Sequence, residues 1–167
     1  MKRVTRIIDS ISDWTGIIFS YLVVPITLLT VFEVITRRVF NDPHDWTFET
    51  TAFMYGAHFM LVAAYGLLYN AHVRITIISD RFSPRVGAIL DLICYFVLFL
   101  PFIILVLIYG IDFAATSWVQ KETSWSAWGP PVYPIKTVIP LTAVLLLLQG
   151  ISDIIKRLAI VTKGVQL

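Results

Sequence analysis

Four long apolar stretches, parted by short polar ones, constrain this chain more than any other feature. Between Asp13 and Glu33 lie 19 uncharged residues, and between Asp91 and Asp112 another 20. Twenty residues of helix, at a rise of about 1.5 Å each, match a hydrocarbon core of about 30 Å. A further stretch starts near Trp46 or Glu49 and runs to about Tyr69, and the last runs from Tyr133 to Ile155. Each is predicted as a membrane-spanning helix. Only 14% of the 167 residues are charged and 57% are hydrophobic, with a mean hydropathy of +0.80. A water-soluble domain carries about 25% charged residues, so the surplus apolar surface must face lipid.

The predicted architecture is an all-α integral membrane protein, a single membrane domain over 1–167. Its four transmembrane helices are placed at 14–36, 46–69, 87–117 and 133–155. Pro25 sits inside the first and is expected to kink it. Asp42, Pro43 and Asp45 precede the second as N-terminal caps, their carboxylates complementing the helix dipole. Ser83 and Pro84 open the third as a cap and a first-turn proline.

Ahead of these spans, residues 1–13 read as a short amphipathic helix in the membrane interface. Val4, Ile7, Ile8, Ile11 and Trp14 fall on one face, while Lys2, Arg3, Arg6, Asp9 and Asp13 take the other. The apolar run that follows is too long for a cleaved signal peptide, and no small-residue cleavage site follows it.

Orientation follows from lysine and arginine. Lys2, Arg3 and Arg6, then Arg74, Arg81 and Arg85 in the 70–86 loop, then Lys156, Arg157 and Lys163 make nine on one side. Arg37, Arg38, Lys121 and Lys136 make four on the other. Both termini and the 70–86 loop are therefore expected in the cytoplasm, with the 118–132 loop outside, facing a periplasm. The formal charge of +2 does not suggest nucleic-acid binding. Cys94 is the single cysteine, which excludes an internal disulfide framework.

The stretch Ser124 to Pro140 is the most distinctive. Pro130, Pro131 and Pro134 remove backbone donors and favour extended geometry before each. Trp125, Trp128 and Tyr133 are amphipathic aromatics suited to the headgroup level, and Lys136 can lift its ammonium towards water from an apolar stem. Such a loop is built to present a fixed surface.

The candidates for chemistry are few. Glu33, Arg37 and Arg38 sit at the outer end of the first span, with Glu33 and Arg37 four apart on one face. An intramembrane carboxylate is a functional hypothesis by default, but one turn from the interface a structural or subunit-contact ion pair is the better reading. His58 is the histidine inside a span. His58 and His72 are 14 residues apart, about 21 Å along a helix, too far to serve as opposite ligands of one haem. Metal-ligand clusters, an activated nucleophile and a phosphate-cradling glycine loop are all missing from the pattern. Gly56, Ala57, Ala63, Ala64 and Gly66 make part of the second span small-sided, as close helix contact in lipid requires; Gln149 and Gly150 could do the same in the fourth. No cofactor is called for.

Three runs carry a resemblance. They are Arg38-Val-Phe-Asn-Asp-Pro with Trp46-Thr-Phe-Glu49; His72-Val-Arg-Ile-Thr with Asp80-Arg-Phe-Ser-Pro-Arg85; and Trp128-Gly-Pro-Pro-Val-Tyr-Pro-Ile-Lys136 with Ile139-Pro140 and Leu148-Gln149-Gly150. Together they resemble the small membrane (DctQ-like) subunit of TRAP (tripartite ATP-independent periplasmic) transporters, over nearly the whole chain and in order. Thr50 and Thr76 stand where that family often has an acidic residue. The resemblance implies a bacterial inner-membrane subunit of a sodium-coupled importer of small organic acids. Its partners would be a large membrane subunit, which is expected to hold the sodium and substrate sites, and a periplasmic substrate-binding protein. It implies subunit contacts through Glu33, Arg37, Arg38, Glu49, His58 and Gln149, and docking of the binding protein on Trp125, Trp128, Tyr133 and Lys136. The other reading from the residues is a stand-alone, dimeric, proton-coupled small exporter with Glu33 as its essential carboxylate. Glu33's shallow depth and the long Trp-Pro loop argue against it. A haem or quinone subunit is disfavoured by the histidine spacing.

Overall fold

The computed structural model describes residues 2–69 and 84–163, which form four helical rods joined end to end. All four are long and apolar enough to cross a membrane: Lys2–Val39, Asp45–Leu68, Arg85–Gln120 and Tyr133–Thr162. The expected all-α, four-span architecture is therefore present. Most of the expected 70–86 loop, with His72, Arg74, Thr76 and Arg81, falls outside the described residues, as does Ser83.

The first rod is α1 (Lys2–Ser20) followed by α2 (Val23–Val39). Helix α1 runs unbroken past residue 13, so its polar first turns and its apolar later turns form one piece. The break comes at Tyr21 and Leu22, and Pro25 explains it. Proline has no N–H for the carbonyl four residues back, here that of Tyr21. The Val24 N–H bonds that carbonyl instead, at 3.1 Å, and regular pairing resumes with Ile26 N–H to Leu22 C=O.

Asn41, left-handed at φ 54°, ends this rod, and the Asp42 N–H returns to the Thr36 carbonyl at 3.1 Å. That is the usual C-terminal stop, with asparagine tolerating a conformation most side chains avoid. The second rod, α3 (Asp45–Leu61) and α4 (Ala63–Leu68), is stepped at Val62. Its N-cap is His44, without a side-chain cap bond, so Asp42 does not cap it as expected; Asp45 lies in the first turn, where its charge favours the dipole.

The third rod is α5 (Pro84–Cys94), a π-helical turn (Tyr95–Phe99) and α6 (Leu100–Gln120). The wide turn ends two residues before Pro101, which has no N–H to give the regular ladder. The fourth is α7 (Tyr133–Lys163), with Pro140 inside it.

Helix α7 is the hub. It packs against α6, α5, α1, α3 and α4. Of its apolar stretch 44% is buried, against 11% or less in the other rods. The core gathers Leu61 and Ala64 around Leu145, flanked by Phe19, Ala57, Val138 and Leu146. Many large apolar side chains, Leu28, Phe48, Phe96 and Tyr109 among them, point outwards. Lipid is as apolar as they are, so close packing rather than burial must hold the helices. Gly16 shows how close: a Cβ there would lie 2.2 Å from the Tyr65 Cβ. Gly150 likewise admits the Phe99 ring, 2.3 Å from where its Cβ would be. Beyond the break, α2 has no buried residue and packs mainly on α3.

Candidate functional site

Polar side chains collect at the two ends of the bundle. At the end carrying the 121–132 loop there are two clusters, and the first turn of α3 serves both. Glu33 Oε1 accepts from the Arg37 guanidinium at 2.8 Å, and its Oε2 from the Thr47 hydroxyl at 2.7 Å. The Glu33 side chain also approaches the His44 N–H, at 3.5 Å. Thr47 is fully buried and bonds back to the His44 carbonyl at 2.6 Å. The Glu33–Arg37 pair expected from their spacing is thus made, and it ties α2 to the start of α3. Arg38 lies beside it, exposed and without an ion-pair partner among the described residues. Glu33, Arg37 and Arg38 share a cleft of about 300 Å³ with Thr47 and Phe48.

Two residues along α3, Glu49 points the other way. Its carboxylate accepts the hydroxyls of Ser124 and, at 2.8 Å, Ser126. The same loop is closed by its own backbone: Ser124 N–H to Pro130 C=O at 2.8 Å, and Val132 N–H to Glu122 C=O at 2.9 Å. Gly129 turns the chain at φ 58°, a conformation open to glycine at no steric cost. At the loop's base Lys136 pairs with Glu122, which also accepts the Ser117 hydroxyl at 2.7 Å. The Lys136 ammonium lies 4.0 Å from the centre of the Phe113 ring, a favourable cation–π placement. It is therefore covered rather than raised into water, with a side chain only 14% exposed. The Tyr133 ring packs tilted against Trp118, their centres 4.4 Å apart. Trp128 is half exposed and Trp125 wholly so. Of the four expected docking residues, two form the base and two are held out from it.

At the end carrying both termini lies a buried polar layer. Gln149, at 0% exposure, accepts from the Ser12 hydroxyl at 2.7 Å and donates to Asp9 at 3.2 Å and Asp153 at 3.3 Å. Asp9 also receives Ser152 and Lys156, each at 2.8 Å. Asp153 accepts the Tyr95 hydroxyl at 2.9 Å, and Asp91 pairs with Arg157. All the polar atoms of Gln149 are thus used between α1 and α7 of this chain. His58 is half-buried, its Nδ1 2.8 Å from the Phe19 carbonyl, and it belongs to neither end.

Sequence reasoning singled out Gln149 but not its partners Asp9, Ser12 and Asp153, nor Ser152, which donates to Asp9. A signal existed: Gln149, Ser152, Asp153 and Lys156 fall three or four apart, one helical face. Among the described residues no three His, Cys, Asp or Glu side chains gather as metal ligands.

What these features define is a small multi-pass membrane protein whose buried polar groups chiefly hold its own helices together. The chain belongs to the DctQ component family of the tripartite ATP-independent periplasmic transporters, whose model matches residues 26–159. It is thus a small permease component of a transporter. It is similar to the C4-dicarboxylate TRAP transporter small permease protein DctQ of Vibrio cholerae, with 27% identity over 129 residues, 77% of this chain. The alignment covers 48% of that relative, so the chain spans about half its length.

Proposed function

We propose that this chain is the scaffold and docking subunit of a sodium-coupled importer of a small organic acid. It lies in a bacterial inner membrane with both termini in the cytoplasm. It holds a large membrane subunit, which carries the sodium and substrate sites, and offers the 121–132 loop to a periplasmic substrate-binding protein. The observation that carries this reading is the clamped loop. Glu49 holds the Ser124 and Ser126 hydroxyls and Lys136 pairs with Glu122 at the loop's base, while Trp125 and Trp128 stand exposed. Rigid, exposed aromatics on a pre-ordered backbone lose little entropy on binding and are the residues most often found at interface hot spots. Glu33 is engaged by Arg37, Thr47 and the turn before α3, which suits a fixed structural carboxylate better than the proton carrier of an exporter.

The test is uptake in membranes holding this chain, the large subunit and the binding protein. Trp125→Ala with Trp128→Ala should leave co-purification of the two membrane subunits intact. It should lower binding-protein-dependent uptake about tenfold, the consequence of losing one hot spot's worth of affinity. Unchanged uptake sinks the docking role, and transport by this chain alone, abolished by Glu33→Gln, sinks the scaffold role.

A further inference from the structure

The layer of bonds between α1 and α7 borders a cavity of about 530 Å³ at the end carrying the termini. Lys2, Arg6, Asp9 and Asp13 line it from α1, Tyr69 from the end of the second rod, and Lys156 from α7. Lys156 is already paired with Asp9 and Asp153, and Asp13 Oδ1 already accepts the Tyr69 hydroxyl at 2.7 Å. That leaves Lys2 and Arg6 without an ion-pair partner among the described residues, and the second oxygen of Asp13 without a donor. Lys2 and Arg6 are four apart on one helix, about 6 Å along its axis. An ammonium and a guanidinium at that spacing can embrace one phosphate group.

The surroundings say where such a phosphate comes from. On the opposite side of α1 from the cavity, Val4, Ile7, Ile11 and Trp14 are all exposed. The amphipathic N-terminal segment therefore turns its apolar face away from the bundle and its charged edge onto the cavity. That apolar side belongs in lipid, and α1 begins a rod long and apolar enough to cross a membrane, so the cavity at its end opens at headgroup depth, where anionic lipid rather than soluble phosphate is concentrated. We propose that this cavity holds the headgroup of an anionic phospholipid, its phosphodiester on Lys2 and Arg6 and a headgroup hydroxyl on Asp13. Phosphatidylglycerol has that chemistry. The bound lipid would seal the seam between the first and fourth rods beside the buried Gln149 layer.

The full chain, extracted from its native membrane in mild detergent, should retain phosphatidylglycerol when analysed by native mass spectrometry. Retention should weaken as salt is raised, because exposed phosphate contacts are screened. Lys2→Gln with Arg6→Gln should cut retention about thirtyfold, since each of the two basic side chains near the headgroups is worth roughly a kcal/mol, while Arg6→Lys should keep it. In phosphatidylcholine nanodiscs, added phosphatidylglycerol should raise the melting temperature of the wild-type chain and not of the double variant. Equal retention by wild type and double variant overturns the proposal. So does retention indifferent to salt, a reading that needs no variant to fold. If inorganic phosphate or soluble glycerophosphoglycerol raises the melting temperature as much as the lipid does, the site is one for a free anion and the lipid assignment fails. Asp13→Asn tests the hydroxyl contact: it should abolish any preference for phosphatidylglycerol over phosphatidic acid, and an unchanged preference overturns that contact.

Discussion

Glu122 receives two donors, the Lys136 ammonium and the Ser117 hydroxyl, just where α6 ends and the loop begins. The bond from Lys136, then that from Ser117, holds its carboxyl below the ordinary value of 4.5, with desolvation acting the other way. A carboxylate with a depressed folded pKa stabilises the fold above its ordinary value and loses that contribution as pH falls through the depressed one. The loop should therefore stay closed at neutral pH and loosen only in acid, below 4.5. Trp125 and Trp128 report on it: wild-type tryptophan fluorescence should show an acid step in that window, and Glu122→Gln should remove it. An identical acid profile in the variant would show that Glu122 does not close the loop. Lysine at 136 was legible as a basic residue near the membrane edge. Its partner was not, because Glu122 and Lys136 are 14 apart in sequence, a spacing with no local periodicity to reveal it.

Among the elements, the first and third rods could be read from charge spacing, since a charged residue inside lipid is costly wherever it falls, and the second and fourth from their apolar stretches. Their interruptions were only partly legible. Pro25 marks the break in the first rod because proline acts locally on its own ladder. The contact that the break accompanies did not show in the sequence: Gly16 of α1 lies against Tyr65 of α4, and nothing near residue 16 announces which helix arrives there. Any side chain at 16 must displace the Tyr65 Cβ, which is fixed to its backbone. Gly16→Leu is therefore expected to pry α1 from α4 and lower stability by about 2 kcal/mol, in the range for overpacked contacts. Gly56 is the control, since a Cβ added there meets nothing within 4 Å, and Gly56→Ala should leave the melting temperature unchanged. Equal effects at the two glycines would mean that the close approach of α1 to α4 does not matter.

For the whole molecule, the side of the bundle left open is as informative as the side that is packed. Helix α2 buries no residue, and the cleft it forms with α3 carries Arg38 and Phe48 at its mouth. Arg38 makes no ion pair among the described residues, so Arg38→Glu should leave this chain's own melting temperature alone. If α2 faces the large membrane subunit, the same change should reduce co-purification of that subunit about tenfold, as reversing a charge at an interface does. Undiminished co-purification would place the large subunit on another face. The hub position of α7 has a consequence for how the protein is made. Ser12 and Gln149 bond across 137 residues of sequence, and Asp9 and Lys156 across 147. At a synthesis rate of roughly 5–20 residues per second, the polar side chains of α1 wait on the order of ten seconds for their partners to leave the ribosome. For that interval the first three rods have no central helix to gather round, and Asp9 and Ser12 have only water, headgroups or the insertion machinery to bond. A nascent chain stalled before Gln149 would carry all of its first three rods and none of the layer that joins α1 to α7, an obvious mark for the proteases that clear unfinished membrane proteins.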